Sequence, residues 1–129
     1  MPKIDRLKEL YAKTNGLDED YPKDLLDKLS IYGQILSIIG DLHAECTKDW
    51  KLAEAERRDT IANFYSQFEG TIKDKEMEAE AKSKAQRQKE AELEGESIKW
   101  KNRYNSTLEQ IQIMKKRYDH LKEVAKGGI

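Results

Sequence analysis

The residues best equipped for chemistry in this chain are few. His43 and Cys46 stand three positions apart with Glu45 between them. An imidazole and a thiolate one helical turn apart supply half of a tetrahedral zinc site, which needs four ligands. A zinc-hydroxide site of the deaminase kind needs two further thiolates, and Cys46 is the sole cysteine. The other histidine, His120, lies far along the chain. No metal site is predicted. Nucleophilic catalysis has no better footing. There is no Gly-x-Ser-x-Gly elbow and no phosphate-cradling glycine loop, and glycines occur singly apart from Gly127-Gly128. A general acid needs a carboxyl whose pKa is shifted by burial, whereas the carboxylates here sit in solvated runs among basic neighbours. The expectation is a protein that is not an enzyme, with no catalytic or cofactor-binding residues and no cofactor.

Binding chemistry is better represented. Lys99, Lys101 and Arg103 alternate with Trp100 and Tyr104, and Lys115, Lys116 and Arg117 precede Tyr118. Cations interleaved with rings can neutralise phosphates while the rings stack on unpaired bases. The same three aromatics fall on a helical seam, and there they are core and leave only a basic helix face. The charge is lopsided. Residues 98–129 carry eight basic groups against three acidic ones, a +5 segment on a −6 body. A basic end of this kind suits an acidic partner or nucleic acid.

The elements that must position these residues are written in the apolar spacing. Leu25, Leu29, Tyr32, Leu36, Ile39, His43, Cys46, Trp50, Ala53, Arg57, Thr60 and Phe64 follow one another in steps of four and three. Trp100, Tyr104, Thr107, Ile111, Met114, Tyr118, Leu121 and Ala125 repeat the pattern. Such steps keep one stripe of a helix facing a partner helix. The prediction is an all-α single domain over 1–129. It is a long, coiled-coil-like antiparallel hairpin of helices 23–68 and 72–124, with a short helix 3–13 packed at the open end. Gly16 stops the short helix, Pro22 suits the first turn of the next, and Thr71 caps the third after the break at Gly70.

Folding about Gly70 places residue i opposite roughly 140 − i in a short antiparallel connection. Trp50 then meets Ala91, and Trp100 and Tyr104 fall near Gly40 and Gly33–Leu36. The two glycines read as clearance for a ring, or else as flexible points. Met77, Ala81, Ala85 and Ala91 are the small or flexible residues expected to face the partner helix along the charged start of the third helix. The first long helix also carries Leu26, Ile31, Ile35, Ile38 and Leu42 beyond its seam. The apolar arc there spans about 240°, far more than the ~100° one partner needs. These five residues are the expected protein interface, shared between the short helix and a second copy of the chain or another protein.

With 38% charged and 37% apolar residues, the composition suits extended helices better than a rounded core. No apolar run reaches the length of a membrane span, the N-terminus has no signal-like stretch, and a lone cysteine fits a reducing compartment. A soluble cytoplasmic protein is expected, with no membrane contact and no small-molecule substrate.

The stretch from Trp50-Lys51-Leu52-Ala53-Glu54-Ala55-Glu56-Arg57 through Glu69-Gly70-Thr71 to Lys99-Trp100-Lys101-Asn102-Arg103-Tyr104-Asn105-Ser106 resembles small helical proteins from the early region of phages of Gram-positive bacteria. The shared features are the Glu-Gly-Thr break, the Ala/Glu/Lys helix, and the Lys-Trp segment with Ile-Gln and a basic end, over about residues 45–120. The resemblance implies an accessory role in DNA metabolism inside the bacterial host and carries over no catalytic residue. Three functions follow as expectations. One is a protein-interaction module acting on a replication, recombination or host protein. The others are a single-stranded nucleic-acid accessory using Lys99, Lys101, Arg103, Lys115, Lys116 and Arg117, and a structural spacer.

Overall fold

A computed structural model of the chain describes residues 2–127. Three helices follow in order: α1 (Lys3–Lys13), α2 (Pro22–Gln67) and α3 (Ile72–Ala125). The fold is all-α, the two long helices pack against each other, and no strand occurs among the described residues. None of the helices is long and apolar enough to cross a membrane. The packing divides into two compact units, Met1–Leu42 with Trp100–Ile129, and His43–Lys99.

The helix ends follow local chemistry. Gly16 is left-handed at φ +83° after α1. Gly127 is left-handed after α3, and Gly128 lies outside the described residues. The acidic connection closes on itself, with the Asp20 N–H donating to Asp18 Oδ1 and the Asp18 N–H to Asp24 Oδ2. Thr71 caps α3 by accepting the Asp74 N–H at 3.2 Å. Gly70 serves in another way than expected. It is not left-handed. A Cβ there would lie 2.7 Å from Cε1 of Phe68, so the glycine gives that ring room.

The first unit holds the apolar core. Leu25, Ile111 and Met114 are buried together, with Leu29, Tyr32, Leu36, Tyr118 and Leu121 packed around them. α1 adds Leu7 and Leu10, 4% and 1% exposed. Full burial of a leucine contributes roughly 1.5–3 kcal/mol. A helix this short is marginal in water by itself, so α1 persists because those two side chains dock. Its Tyr11 ring meets Tyr32 edge-on at 6.2 Å, and Arg6 reaches Gln34 at 3.5 Å.

The second unit is held differently. Its seam joins Thr47 to Ser97 at 2.7 Å, Arg57 to Glu90 at 2.5 Å and Thr60 to Gln86 at 3.1 Å. Ala53, Ala79 and Ser83 are buried between such layers. The Trp50 indole nitrogen and the Gln86 side-chain oxygen are buried without a hydrogen-bond partner among the described residues.

These pairs, and the approach of Tyr104 to Gly40 in the first unit, set the antiparallel register. It runs about one to two turns further along α3 than folding symmetrically about Gly70 predicts. The turn is asymmetric: Lys75 lies over Tyr65, while Lys82 reaches back over Phe64. Trp50 therefore does not face Ala91. Met77, Ala81, Ala85 and Ala91 are exposed, and the seam instead uses Ala79, Ser83, Gln86, Glu90, Leu93 and Ser97.

The glycine reading needs correction too. Nothing lies within 4 Å of a Cβ built at Gly33 or Gly95, and at Gly40 the nearest atom is Tyr104 Cε2 at 3.5 Å. Gly33 gives no clearance to a ring, and Gly40 leaves room for a methyl group. Gly33→Ala and Gly95→Ala are each expected to stabilise the protein by about 0.5–1 kcal/mol through helix propensity. Denaturant midpoints will check this; a loss of stability would show that these backbones are closely approached.

Candidate functional site

In the first unit the basic residues of α3 divide by what they touch. Lys101, Lys115 and Lys116 are exposed and form no ion pair among the described residues. Arg103 lies over two rings, 5.3 Å from the Tyr11 centroid and 5.7 Å from that of Trp100. Arg117 reaches the connection between α1 and α2, pairing with the Asp20 carboxylate and donating to the Glu19 carbonyl at 3.2 Å. Lys28 pairs with the Glu19 carboxylate at 3.5 Å. The aromatics are taken up in packing: Trp100 is 6% exposed, and Tyr104 and Tyr118 are half-buried. No ring of the segment is presented for base stacking, and two of its arginines are occupied. Lys99 belongs to the second unit, 3.9 Å from Glu96.

The apolar set on α2 is also divided. Leu26 is 50% exposed, Ile31 and Ile38 are half-buried, and Ile35 and Leu42 are buried within the chain. Ile35 and Leu42 thus do not form an open interface. Tyr32 and Gln34, which α1 contacts, lie on opposite flanks of the stripe Ile31, Ile35, Ile38, Leu42 at about 100° per residue. α1 therefore crosses that stripe beside Ile31 and Ile35.

No protein-family model matches the chain, and no curated protein or solved structure is significantly similar to it. Its site must be read from its own surface chemistry. In the second unit a shallow concavity of about 470 Å³ lies over Met77, Glu80, Ala81, Lys84 and Arg87, with no buried charge in it. In the first, a smaller one of about 290 Å³ is lined by Glu19, Lys28, Tyr32, Gln110, Ile113 and Met114.

His43 and Cys46 are half-buried seam residues on one turn of α2. Among the described residues no three His, Cys, Asp or Glu side chains gather to hold a metal. Burial pushes the Cys46 thiol pKa up, and the carboxylates of Glu96, Asp49 and Glu45 push it the same way. The thiolate is the nucleophile, so Cys46 is expected to react with iodoacetamide several-fold more slowly than a free thiol at pH 8. The gap should narrow as the pH rises through the raised pKa. Labelling followed by mass spectrometry checks this, and alkylation at the free-thiol rate would contradict it.

The structure shows residues that the spacing did not. Arg103 and Arg117 act as ties to α1 and to the acidic connection. The 4-3 steps from Trp100, continued backward, pass through Ser97, Leu93, Glu90, Gln86, Ser83 and Ala79. That was the available signal for the seam of the second unit.

Proposed function

We propose that this protein is a non-enzymatic helical module that binds another protein. The resemblance in the Lys-Trp segment suggests a phage accessory whose target is a DNA-processing or host protein in the bacterial cytoplasm. The observation that carries the reading is the second apolar stripe of α2. A helix that packs against α3 alone needs one stripe; α2 has two, and α1, which crosses the second, leaves Ile31 and Ile38 half-buried on it.

Purification from host lysate with quantitative mass spectrometry tests it. A stoichiometric protein partner held by the wild type and lost with Ile31→Glu/Ile38→Glu supports the reading. Equal recovery with both forms overturns it. Molar mass by light scattering, at low and moderate salt and with single-stranded DNA, addresses the alternatives. A dimer without any added partner would assign the stripe to a second copy. A DNA-dependent shift lost on Lys115→Glu/Lys116→Glu, and weakening steeply with salt as counterion release requires, would move the function to the exposed lysines.

A further inference from the structure

We propose that α1 is a resident stand-in on a helix-binding groove, and that a longer, acidic amphipathic helix of a partner protein displaces it from the stripe Ile31, Ile35, Ile38 and Leu42. The inference rests on the interaction reading above and adds how the surface is opened and what fits it.

The occupant now in place defines the chemistry. α1 offers two buried leucines one turn apart and a tyrosine next to the second, which is the anchor spacing of a helix laid into an apolar groove. It fills the groove incompletely. Ile35 is fully buried, yet Ile31 and Ile38 are only half-buried, and Ile4 of α1 is 41% exposed. A longer helix with a third and fourth apolar anchor covers what α1 leaves open.

Beyond the two docked leucines, the polar ties of α1 and its connection are of a kind that yields. Arg6 is shared between Gln34 and Glu9 at the surface. Asp20, which holds Arg117, has a side chain 74% exposed, and Glu19, which holds Lys28, one 45% exposed. Ion pairs this exposed contribute little and are screened by salt. When α1 and the acidic connection leave, Lys28 and Arg117 lose their carboxylates, and Arg103 loses Tyr11 while keeping Trp100. The vacated groove then has a cationic rim, and its ligand carries carboxylates.

A second copy's α1 is a poor competitor for the same place. The connection from Thr14 to Tyr21 is short, and a short tether gives the resident helix an effective concentration of order millimolar. An identical helix in trans cannot displace it at micromolar concentrations. A longer acidic one can, through the additional anchors and the rim.

Hydrogen exchange on the full-length wild type is the first test. The amides of Leu7–Lys13 are expected to exchange on the order of 100-fold faster than those of Ile35–Leu42, as a locally opening element does. Exchange of both segments in step would make α1 part of the permanent core and overturn the proposal, leaving the interaction reading standing on other surfaces. The second test uses full-length chain with Leu7→Glu/Leu10→Glu and two labelled synthetic peptides. One has the sequence of residues 2–17, and the other has Lys3→Glu, Lys8→Glu and Lys13→Glu within it. Tight binding to this variant, at least about tenfold weaker binding to wild type, and preference for the acidic peptide at low salt are expected. A variant that keeps its helical signal and binds neither peptide overturns the proposal, as does a wild-type dimer that exchanges α1 between copies. If the variant does not fold, the exchange result decides.

Discussion

Replacing Leu25 by alanine is expected to destabilise the protein by about 3–5 kcal/mol, the range for large-to-small changes at a site that cannot collapse. Leu25 has no exposed surface and sits against Ile111 and Met114, with aromatic and aliphatic side chains closing the cluster. Two helices and a well-packed shell leave little freedom to fill the space. The neighbouring residue supplies the control. Leu26 has the same side chain on the same helix turn but is 50% exposed. Leu26→Ala should cost under about 1 kcal/mol, since half of the residue is already in solvent and alanine gains slightly in helix propensity. Urea titrations of the two variants give the comparison. Equal losses would mean that the seam does not run through Leu25.

The second large effect lies at Arg57. Its guanidinium and the Glu90 carboxylate meet across the seam with side chains only 22% and 15% exposed, and the hydrogen bond to Glu90 raises the Arg57 pKa above its ordinary value. Removing one partner strands a mostly buried charge. Arg57→Leu alone is expected to cost about 2–4 kcal/mol. Arg57→Leu combined with Glu90→Leu should recover most of that loss, because an apolar pair of similar volume does without the desolvation of both ions. A coupling energy of roughly 2 kcal/mol in the double-mutant cycle is the number to look for. A loss below about 0.5 kcal/mol in the single variant, the ordinary surface value, would show that the pair does not form.

The recovered double variant should differ from wild type in another respect. Polar pairs inside a helical seam fix register at some expense of stability. The second unit has three of them, Thr47–Ser97, Arg57–Glu90 and Thr60–Gln86. A slip by one heptad leaves each without its partner, whereas leucines tolerate the slip. Spin labels on α2 and α3 should report one distance in wild type and a broadened set in the leucine pair.

Much of the fold was legible because spacing is a property of the chain. The twelve α2 positions from Leu25 to Phe64 all turn out buried or half-buried, including Arg57 and Thr60. So do the α3 positions from Trp100 to Leu121; Ala125 alone of that run is exposed. At the start of α3, residue type and step point to different faces. Its seam positions are mostly Ser, Gln and Glu, with only Ala79 and Leu93 apolar, and Met77, Ala81, Ala85 and Ala91 face solvent. Register was misplaced because a turn's asymmetry leaves no trace in spacing. The ties of Arg103 and Arg117 were hidden for a different reason. Their partners, Tyr11, Glu19 and Asp20, come from the opposite end of the sequence, and long side chains choose partners only once the helices are assembled. The surplus apolar arc of α2 was legible as a surplus, but not which of its residues α1 covers.

The two units also differ in when they can come into being. In the second, Thr60 and Gln86 are 26 residues apart, and the contacts propagate outward from a nearby turn. In the first, Leu25 waits for Ile111, and Asp20 for Arg117. Closing a larger loop costs more entropy and slows folding, and a ribosome delivers the chain in order at about 5–20 residues per second. The seam around Thr60 and Gln86 can therefore form before residues 100–125 pack onto the first half of α2. Until they do, the face of α2 that carries Leu25 is open to other nascent chains, because α1 crosses the other stripe.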